Sequence, residues 1–314
     1  MDERASRRTV SGRRPGRRKP SMKGTSMETV FDPVSFKRTQ RATWNAISAG
    51  WLSCQDDFET GGAAVTARLL ELAGVGAGQR VLDVGTGTGQ PALTAASVVG
   101  PTGRVIGIDL APEMIARARD RGDGLGQVEF VVGDVETLEF PSAAFDVVLS
   151  RWGLMFAVDR VAMFRTLARV LVPGGVLAAA VWAEPALAPM MSLGFRVIAE
   201  RLGLPPGPPG APGPFSMADP EAVTAELTEA GFGAVVVTRF QVPFVLESPD
   251  RYVEFSKVVS PPSLKDMLRE RFGSADDPRT WAAVGAAVEP YRGPDGAVSL
   301  PSTALLLRAV APIG

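Results

Sequence analysis

The sequence contains no histidine, which removes the commonest metal ligand and the commonest general base at neutral pH. Its one cysteine, Cys54, excludes an internal disulfide and a metal site built from cysteines. No run of about 18 uninterrupted apolar residues is present, so we predict no membrane span. Any chemistry of this chain therefore proceeds without a histidine and without a cysteine cluster.

Charge is distributed unevenly along the 314 residues. Residues 1–26 carry a net charge of +7 and the remainder carries −8. The basic tail has almost no apolar side chains, so we predict that it is disordered. An organelle transit peptide or a nucleic-acid-binding arm has this composition, but we favour a translation start at Met22 or Met27. The acidic body argues against a nucleic-acid partner, and we expect a cytoplasmic protein.

The most informative stretch is Arg80–Leu93, with the sequence RVLDVGTGTGQPAL. Its first residues, 81–84, form an apolar run with one acid, as in a short buried strand. Gly85, Gly87 and Gly89 follow at every second position, and Pro91 suits the first turn of a helix. Strand, glycine turn and helix begin a βαβ unit in which the backbone allows a ligand to approach closely.

The spacing of the glycines narrows the class of ligand. Counted from Gly85, the sixth position is Gln90, whereas a dinucleotide fingerprint has glycine there. Asp83 precedes the turn, and a carboxylate repels a pyrophosphate but attracts an ammonium group. The turn therefore favours a zwitterionic ligand that resembles an amino acid.

Further strands follow at regular intervals. The predicted second strand, 104–110, carries Asp109 near its end, where an acid can accept hydrogen bonds from ribose hydroxyls. Residues 128–132 form the third strand and precede Gly133, Asp134 and Val135. Residues 147–150 form the fourth strand, residues 172–175 form a tight turn, and residues 176–182 form the fifth strand.

Three motifs, VLDVGTGTG, LEFPSAAFDVV and LVPGGVL, lie in this order within residues 80–182. They closely resemble those of class I S-adenosylmethionine (SAM)-dependent methyltransferases of the small-molecule type, similar to quinone and natural-product methyltransferases. The resemblance implies an α/β fold: a doubly wound, Rossmann-like seven-stranded sheet with the last strand antiparallel, plus helical cap insertions. It also implies SAM as the cofactor and methyl transfer to oxygen or carbon of a phenolic, quinone-like or carboxylic secondary metabolite.

The same resemblance implies the residues of the site. Asp134 would bind the adenine amino group and the Val135 amide a ring nitrogen. The cofactor-binding residues would be Asp83, Gly85, Thr86, Gly87, Gly89, Asp109, Leu110, Met114, Gly133, Asp134, Val135, Ser150 and Arg151. The substrate would contact Trp44, Trp51, Arg151 and Trp152, of which Arg151 would stabilise an anionic acceptor. We assign no catalytic base and no metal.

We expect residues 27–314 to form one methyltransferase domain. Its SAM-binding core is residues 65–184, and its substrate cap consists of residues 27–60, 185–215 and 249–292. Within the cap, six residues would provide an apolar acceptor pocket: Met190, Met191, Phe195, Tyr252, Phe255 and Met267.

Two other functions remain open at this stage. A SAM-binding protein that transfers no methyl group would carry the same cofactor motifs. An NAD-dependent oxidoreductase would require the sixth-position glycine and a Tyr/Lys or His catalytic group, whereas the chain has only Tyr252 and Tyr291 and no histidine. The Asn/Asp-Pro-Pro-Tyr/Phe motif of nucleic-acid amino-methyltransferases is absent after the fourth strand, where the sequence is Ser-Arg-Trp-Gly.

Overall fold

The computed structural model describes residues 31–137, 139–205 and 210–313. The predictions for residues 1–26, for a start at Met22 or Met27, and for part of the proline-rich loop lie outside these residues. In this part of the chain seven strands form one sheet. They are β1 Arg80–Val84, β2 Arg104–Asp109, β3 Val128–Val132, β4 Phe145–Arg151, β5 Leu171–Trp182, β6 Gly233–Leu246 and β7 Val298–Val310.

The strand order is β3-β2-β1-β4-β5-β7-β6. Strands β1 to β5 pair in parallel, and β7 runs antiparallel to both β5 and β6. This confirms the predicted Rossmann-like sheet with an antiparallel last strand. The order reverses at β1, and ligands of such sheets bind beyond the carboxyl ends of the strands at this reversal.

The sheet is covered by helices on both faces, which explains the apolar runs in its central strands. Val81, Leu82 and Val84 of β1 are each at most 3% exposed. The helices are α1 Pro33–Ser53, α2 Gln55–Ala73, α3 Ala92–Val99, α4 Pro112–Arg121, α5 Arg160–Val170, α6 Pro189–Leu202, α7 Pro220–Glu229, α8 Pro249–Val259, α9 Pro262–Phe272 and α10 Pro278–Val288.

Local chemistry fixes several helix ends. The side chains of Asp159, Asp219, Ser248 and Asp277 accept hydrogen bonds from backbone amides in the first turns of α5, α7, α8 and α10. Such N-caps bond amides that have no partner within the helix. Proline occupies the first turn in three of these four helices, because its fixed φ suits that position.

The prediction of a tight turn at residues 172–175 is wrong, because these residues lie within β5. Phe145 pairs with Leu171 and Val147 pairs with Val176, so the segment bulges out of the ladder against β4. Gly174 has a φ of 76°, and its amide donates to the carbonyl of Ala311. The proline and glycines therefore shape a bulge in the strand.

The chain divides at Asp32, and the second unit, Pro33–Gly314, contains every helix and strand described above. None of the helices in the described ranges is long and apolar enough to cross a membrane. Helix α1 packs against α4 and α8, and α2 packs against β6 and β5. These contacts bring α1 and α2 to the site at the carboxyl ends of the strands.

Candidate functional site

A cavity of about 540 Å³ lies at the carboxyl ends of β1, β2 and β4. Its floor is formed by residues 84–88, 108–110 and 151–153, and its far side by residues 133–136. Helix α1, residues 212–215 and the α8–α9 junction cover it. The volume is typical of a site that encloses a small molecule.

The glycine turn packs two strand ends against each other. Gly85 has a φ of 69°, and a Cβ on it would lie 2.8 Å from the Cα of Gly153. A Cβ on Gly89 would meet Leu93 at 2.9 Å, and Gly89 does not line the cavity. Gly85, Thr86 and Gly87 do line it. The first glycine therefore permits contact with the end of β4, and the third permits helix packing.

Asp83 lies behind the turn and does not line the cavity. Its carboxyl is fully buried, with Oδ2 accepting from the Ala92 amide at 3.0 Å. Burial raises the pKa of Asp83 to about 7, which the Thr86 hydroxyl and the Ala92 amide only partly offset. Among the described residues, Asp83 Oδ1 and Thr86 Oγ1 have no hydrogen-bond partner of normal geometry. Asp83 therefore supports the start of α3 and the turn from behind the cavity.

Asp109 connects the turn to the start of α4. Its Oδ2 accepts from the Gly87 amide at 2.9 Å, and its Oδ1 accepts from the Ala111 amide at 2.9 Å. Burial raises its pKa, although the backbone amides oppose this. Asp109, Leu110 and Met114 all line the cavity. The carboxyl thus shapes the glycine turn while facing the space beside it.

A charged clamp joins α1 to the loop after β3. Lys37 Nζ lies 2.6 Å from Asp134 Oδ2 and 2.7 Å from Glu136 Oε2. Burial lowers the pKa of Lys37, but hydrogen bonds and the charges of both carboxylates outweigh it, so the pKa is raised overall. Glu136 also accepts from the amides of Val158 and Asp159. Gly133, Asp134 and Val135 line the cavity, and their binding of adenine stays a prediction.

Arg151 lines the cavity, but another side chain holds its guanidinium. Glu59 of α2 binds it in a bidentate manner at 2.8 and 2.5 Å, and the Thr66 hydroxyl lies 3.0 Å away. The Arg151 side chain is 7% exposed. Because Glu59 offsets its charge, the arrangement does not favour the predicted role of Arg151 towards an anionic acceptor. The neighbouring Ser150 is buried, and its hydroxyl donates to the Val84 carbonyl at 2.7 Å without lining the cavity.

Six aromatic side chains form a continuous surface, which we call the aromatic wall. Successive ring centroids lie between 4.5 and 5.9 Å apart. All six residues line the cavity. In order of contact they are Phe156, Trp44, Trp51, Phe58, Trp152 and Trp182. The three predicted substrate tryptophans, Trp44, Trp51 and Trp152, therefore belong to one surface.

Trp152 has an unusual backbone at the end of β4. Its φ is 62°, a conformation that costs a bulky L-residue about 1–2 kcal/mol. Its amide donates to the Ala180 carbonyl at 2.7 Å, and a Cβ on the following Gly153 would lie 2.7 Å from the Val84 carbonyl oxygen. The ring stacks on Trp182 with an interplanar angle of 10°. Close packing thus holds the Trp152 ring in one orientation.

The predicted apolar pocket of the cap is correct only in part. Met191 and Phe195 line the cavity. Met190, Tyr252 and Phe255 are buried in the core instead, where the Tyr252 hydroxyl accepts from the Gly194 amide at 2.9 Å. Met267 is 43% exposed on α9 and does not line the cavity. Helical periodicity placed all of these residues on apolar faces but did not distinguish a cavity from the core.

Sequence reasoning missed Lys37, Glu136, Phe58, Glu59 and Trp182. Lys37 had a detectable signal, because it lies seven residues before Trp44 and fourteen before Trp51, on the same face of α1. No sequence pattern indicated Glu59, since its partner Arg151 lies 92 residues away. In the described part of the chain no group of histidine, cysteine, aspartate and glutamate side chains could hold a metal ion.

Residues 81–175 match a family model described as a methyltransferase domain. Among curated proteins, the ubiquinone/menaquinone biosynthesis C-methyltransferase UbiE of Ectopseudomonas mendocina is 42% identical over 119 residues, which are 37% of this chain and 46% of that protein. UbiE of Ectopseudomonas oleovorans is 43% identical over 109 residues, 34% of this chain and 64% of that protein. The chain thus spans about half the length of the curated relatives it matches.

Solved structures agree on the fold. The YcgJ protein of Bacillus subtilis matches with a TM-score of 0.52 and 20% identity, over 79% of this chain and 98% of that chain. A second match is a chain of the complex between the Haloferax volcanii Trm112 methyltransferase activator and a methyltransferase. Its TM-score is 0.53 and its identity 23%, over 87% of this chain and 97% of that chain. The sequence match therefore places similarity to a methyltransferase domain in the part of the chain that contains the glycine turn, and the solved structures share the fold.

Proposed function

We propose that this protein transfers the methyl group of SAM to an oxygen or carbon of a small, flat molecule, with a quinone-like ring as the favoured acceptor. One observation carries the proposal: a single cavity joins the glycine turn and its carboxylates to an aromatic wall. The relatives named for ubiquinone and menaquinone biosynthesis support the quinone-like class. A cytoplasmic location and a small-molecule partner are part of this proposal.

The residues of the turn fit the proposed cofactor. Asp109 would bind the ribose hydroxyls, and Asp134 with the Val135 amide would bind the adenine. The amino-acid end would lie by Gly85, Thr86 and Gly87, which line the cavity. A buried carboxyl with a raised pKa gains from a nearby ammonium group. Asp83 would act through the turn it supports, since it does not line the cavity.

SAM supplies an electrophilic methyl group, and the chain has to orient the acceptor and exclude water. The aromatic wall would orient the acceptor because its rings are rigidly packed, and it would exclude water because they are apolar. Gly85 and Gly153 bring the ends of β1 and β4 into contact, so the cofactor half and the aromatic half of the cavity adjoin there. Arg151, held by Glu59, would fix the end of β4.

A second candidate is a SAM-binding protein without methyl transfer. This function is favoured by one observation: in the described part of the chain, the charged side chains named next line the cavity and are already bonded to the protein. Lys37, Asp109, Asp134, Glu136 and Arg151 all make hydrogen bonds to the protein, so none is an evident free base. Methyl transfer would then require an acceptor that is already nucleophilic.

The first test is calorimetric titration with S-adenosylhomocysteine and, separately, with NADH. We expect micromolar binding of S-adenosylhomocysteine and none of NADH. Asp109→Asn should weaken binding at least about tenfold, because it disturbs the bond to Gly87 and removes a carboxylate acceptor. Asp123→Asn, an exposed acid just after α4, is the matched control. Failure to bind S-adenosylhomocysteine, or binding of NADH instead, would refute the proposal.

The second test measures turnover. Purified protein is incubated with SAM and a panel of reduced naphthoquinones and phenols, and S-adenosylhomocysteine formation is followed by mass spectrometry. A methylated product with a naphthoquinol supports the proposed function. Cofactor binding without any methylated product across the panel supports the second candidate.

A further inference from the structure

We propose that Arg251 of α8 is a positioning residue for the acceptor. It fixes the α1–α2 corner, residues 51–58, and through this corner it sets the spacing of two rings of the aromatic wall. The inference rests on the proposed function and adds to it a residue outside the cavity on which acceptor binding depends. Arg251 itself does not line the cavity.

The first observation is that the α1–α2 corner carries two rings of the wall. Only Cys54 separates the end of α1 at Ser53 from the start of α2 at Gln55. Trp51 lies in the last turn of α1 and Phe58 near the start of α2, and both line the cavity. Their ring centroids are 5.0 Å apart. The spacing of the two rings therefore depends on the angle at which the helices meet.

The second observation is that Arg251 binds both sides of the corner. Its Nη2 donates to the Ser53 carbonyl at 2.9 Å, and its Nε donates to Asp57 Oδ2 at 2.7 Å. The carbonyl belongs to the end of α1, where carbonyls lack partners within the helix, and Asp57 lies in the first turn of α2. The last turn of α1 has no basic residue, and the N-cap Cys54 makes no side-chain bond. Arg251 therefore supplies from α8 what neither helix end has itself.

The ion pair of Arg251 with Asp57 is partly shielded from water. The Arg251 side chain is 25% exposed and that of Asp57 is 16% exposed. Arg251 Nη1 also donates to Glu254 Oε2 at 2.7 Å, so the guanidinium is held within its own helix as well. Hydrogen bonds between charged groups are stronger than those between neutral ones, most of all where water is partly excluded. The guanidinium thus has a fixed place at the corner.

The third observation is that α8 also packs against the inner side of the corner. The buried Phe255 ring, one turn after Arg251, lies 6.4 Å from the Trp51 ring and 6.3 Å from the Phe58 ring between centroids. A Cβ on Gly50 would lie 3.1 Å from Val258 Cγ1, so α8 approaches the end of α1 closely. A shift of α8 relative to the corner would therefore displace both wall rings.

These contacts separate the two halves of the cavity in their dependence on Arg251. The acceptor would lie against rings whose spacing Arg251 sets, and small displacements of positioning groups weaken binding and catalysis strongly. The cofactor half is held by the glycine turn and by the ion pair of Lys37 with Asp134, neither of which Arg251 contacts. Loss of Arg251 should therefore weaken acceptor binding and leave cofactor binding nearly intact.

The test measures two affinities in the same variant. Binding of S-adenosylhomocysteine is measured by calorimetry, and binding of 2,3-dimethyl-1,4-naphthoquinone by equilibrium dialysis with saturating S-adenosylhomocysteine. Arg251→Met should weaken quinone binding about tenfold and S-adenosylhomocysteine binding less than about twofold. Arg251→Lys keeps the charge but lacks the fork that reaches two partners, so its loss of quinone binding should be intermediate.

Arg201→Met is the matched control for a general loss of stability. It removes an ion pair of α6 with Asp277 whose side chains are 28% and 13% exposed, close to the values for Arg251 and Asp57. Arg201 does not line the cavity, and its loss should leave quinone binding unchanged. Equal loss of quinone binding in Arg201→Met and Arg251→Met would overturn the inference. Equal losses of cofactor and quinone binding in Arg251→Met would overturn it as well.

A milder variant covers the case in which Arg251→Met does not fold. Asp57→Asn keeps the size of the side chain and removes the charge that Arg251 binds. Hydrogen exchange over residues 51–58, measured by mass spectrometry without any acceptor, should accelerate at least about threefold in Asp57→Asn and not in Arg201→Met. Unchanged exchange in Asp57→Asn would show that the ion pair does not hold the corner and would overturn the inference.

Failure of the proposed function gives different results. Wild-type protein that does not bind S-adenosylhomocysteine refutes the proposed function. Wild-type protein that binds S-adenosylhomocysteine but not the quinone refutes the proposed acceptor class, and hydrogen exchange then decides whether Arg251 holds the corner. Wild-type protein that binds both ligands, with no selective loss in Arg251→Met, refutes only the positioning role of Arg251.

Discussion

Lys37 and Asp134, 97 positions apart in sequence, form an ion pair of 2.6 Å that joins helix α1 to the loop after β3. The bonded oxygen, Asp134 Oδ2, belongs to the carboxyl proposed to bind the adenine amino group. The ion pair therefore closes α1 over the cofactor half of the cavity and engages a residue that the cofactor would use.

Lys37→Met is expected to loosen α1. The variant removes two charge-assisted hydrogen bonds, each worth about 1.5–3 kcal/mol when shielded from water. Hydrogen exchange over residues 33–45 should accelerate at least about fivefold, measured by mass spectrometry. Arg38→Met, which changes the exposed neighbour, is the control. Equal exchange in the two variants would show that the clamp does not hold the helix.

Asp83 should make the stability of the protein depend on pH. Its pKa rises from 3.8 to about 7 on burial, so the native state binds more protons than the unfolded chain between these values. Stability contributed by the protonated form is present below about pH 4 and is lost as the pH rises through 7. Asp83→Asn stays neutral at every pH. Its free energy of unfolding, relative to that of the wild-type protein, should therefore rise over this range by on the order of 4 kcal/mol.

Urea unfolding at pH 4.5 to 8.5 measures this difference. Asp123→Asn, at an exposed position, should run parallel to the wild-type protein throughout. A pH-independent difference between Asp83→Asn and the wild-type protein would mean that Asp83 does not titrate in this range.

Gly153→Ala is expected to destabilise the junction between β1 and β4. The added Cβ would lie 2.7 Å from the Val84 carbonyl oxygen, and backbone atoms cannot move aside easily. A cost of about 1–3 kcal/mol in the free energy of unfolding follows from such overpacking. Gly126→Ala adds the same methyl group where no atom lies within 4 Å and should change stability little. Equal unfolding midpoints for the two variants would contradict the close approach.

Glu59→Gln should be costly because it leaves Arg151 without a charged partner. Breaking a buried ion pair by neutralising one side costs roughly 1–3 kcal/mol after allowance for the partial exposure of Glu59. Glu71→Gln breaks an exposed pair with Arg68, and its expected cost is below about 0.5 kcal/mol. Adding Arg151→Met to Glu59→Gln should recover part of the loss. Chemical denaturation of the four proteins tests this, and similar values for both single variants would refute it.

The strands and the glycine turn were predictable because short-range patterns encode them. Residues 81, 82 and 84 are apolar because both faces of β1 are covered. Glycine at every second position from residue 85 to residue 89 indicates the turn. The bulge at residues 172–175 was mistaken for a turn because both require a positive φ at glycine. The residue types alone do not show whether β4 continues beside residues 172–175.

The site was predictable only where one segment carries several of its residues. Asp109, Leu110 and Met114 follow β2 in sequence and line the cavity together. The pair of Glu59 and Arg151 depends on how α2 packs against the sheet, which no local pattern records. Met267 had the same apolar character as Met191, and only tertiary packing separates an exposed methionine from one in the cavity.

Helix α1 lines both halves of the cavity, through Lys37 in the cofactor half and through Trp44 and Trp51 in the aromatic wall. Any displacement of α1 would therefore open the cofactor half and the acceptor half of this cavity together. Opening it to release S-adenosylhomocysteine would also admit water to the acceptor half. Exchange of the acceptor would then be coupled to exchange of the cofactor.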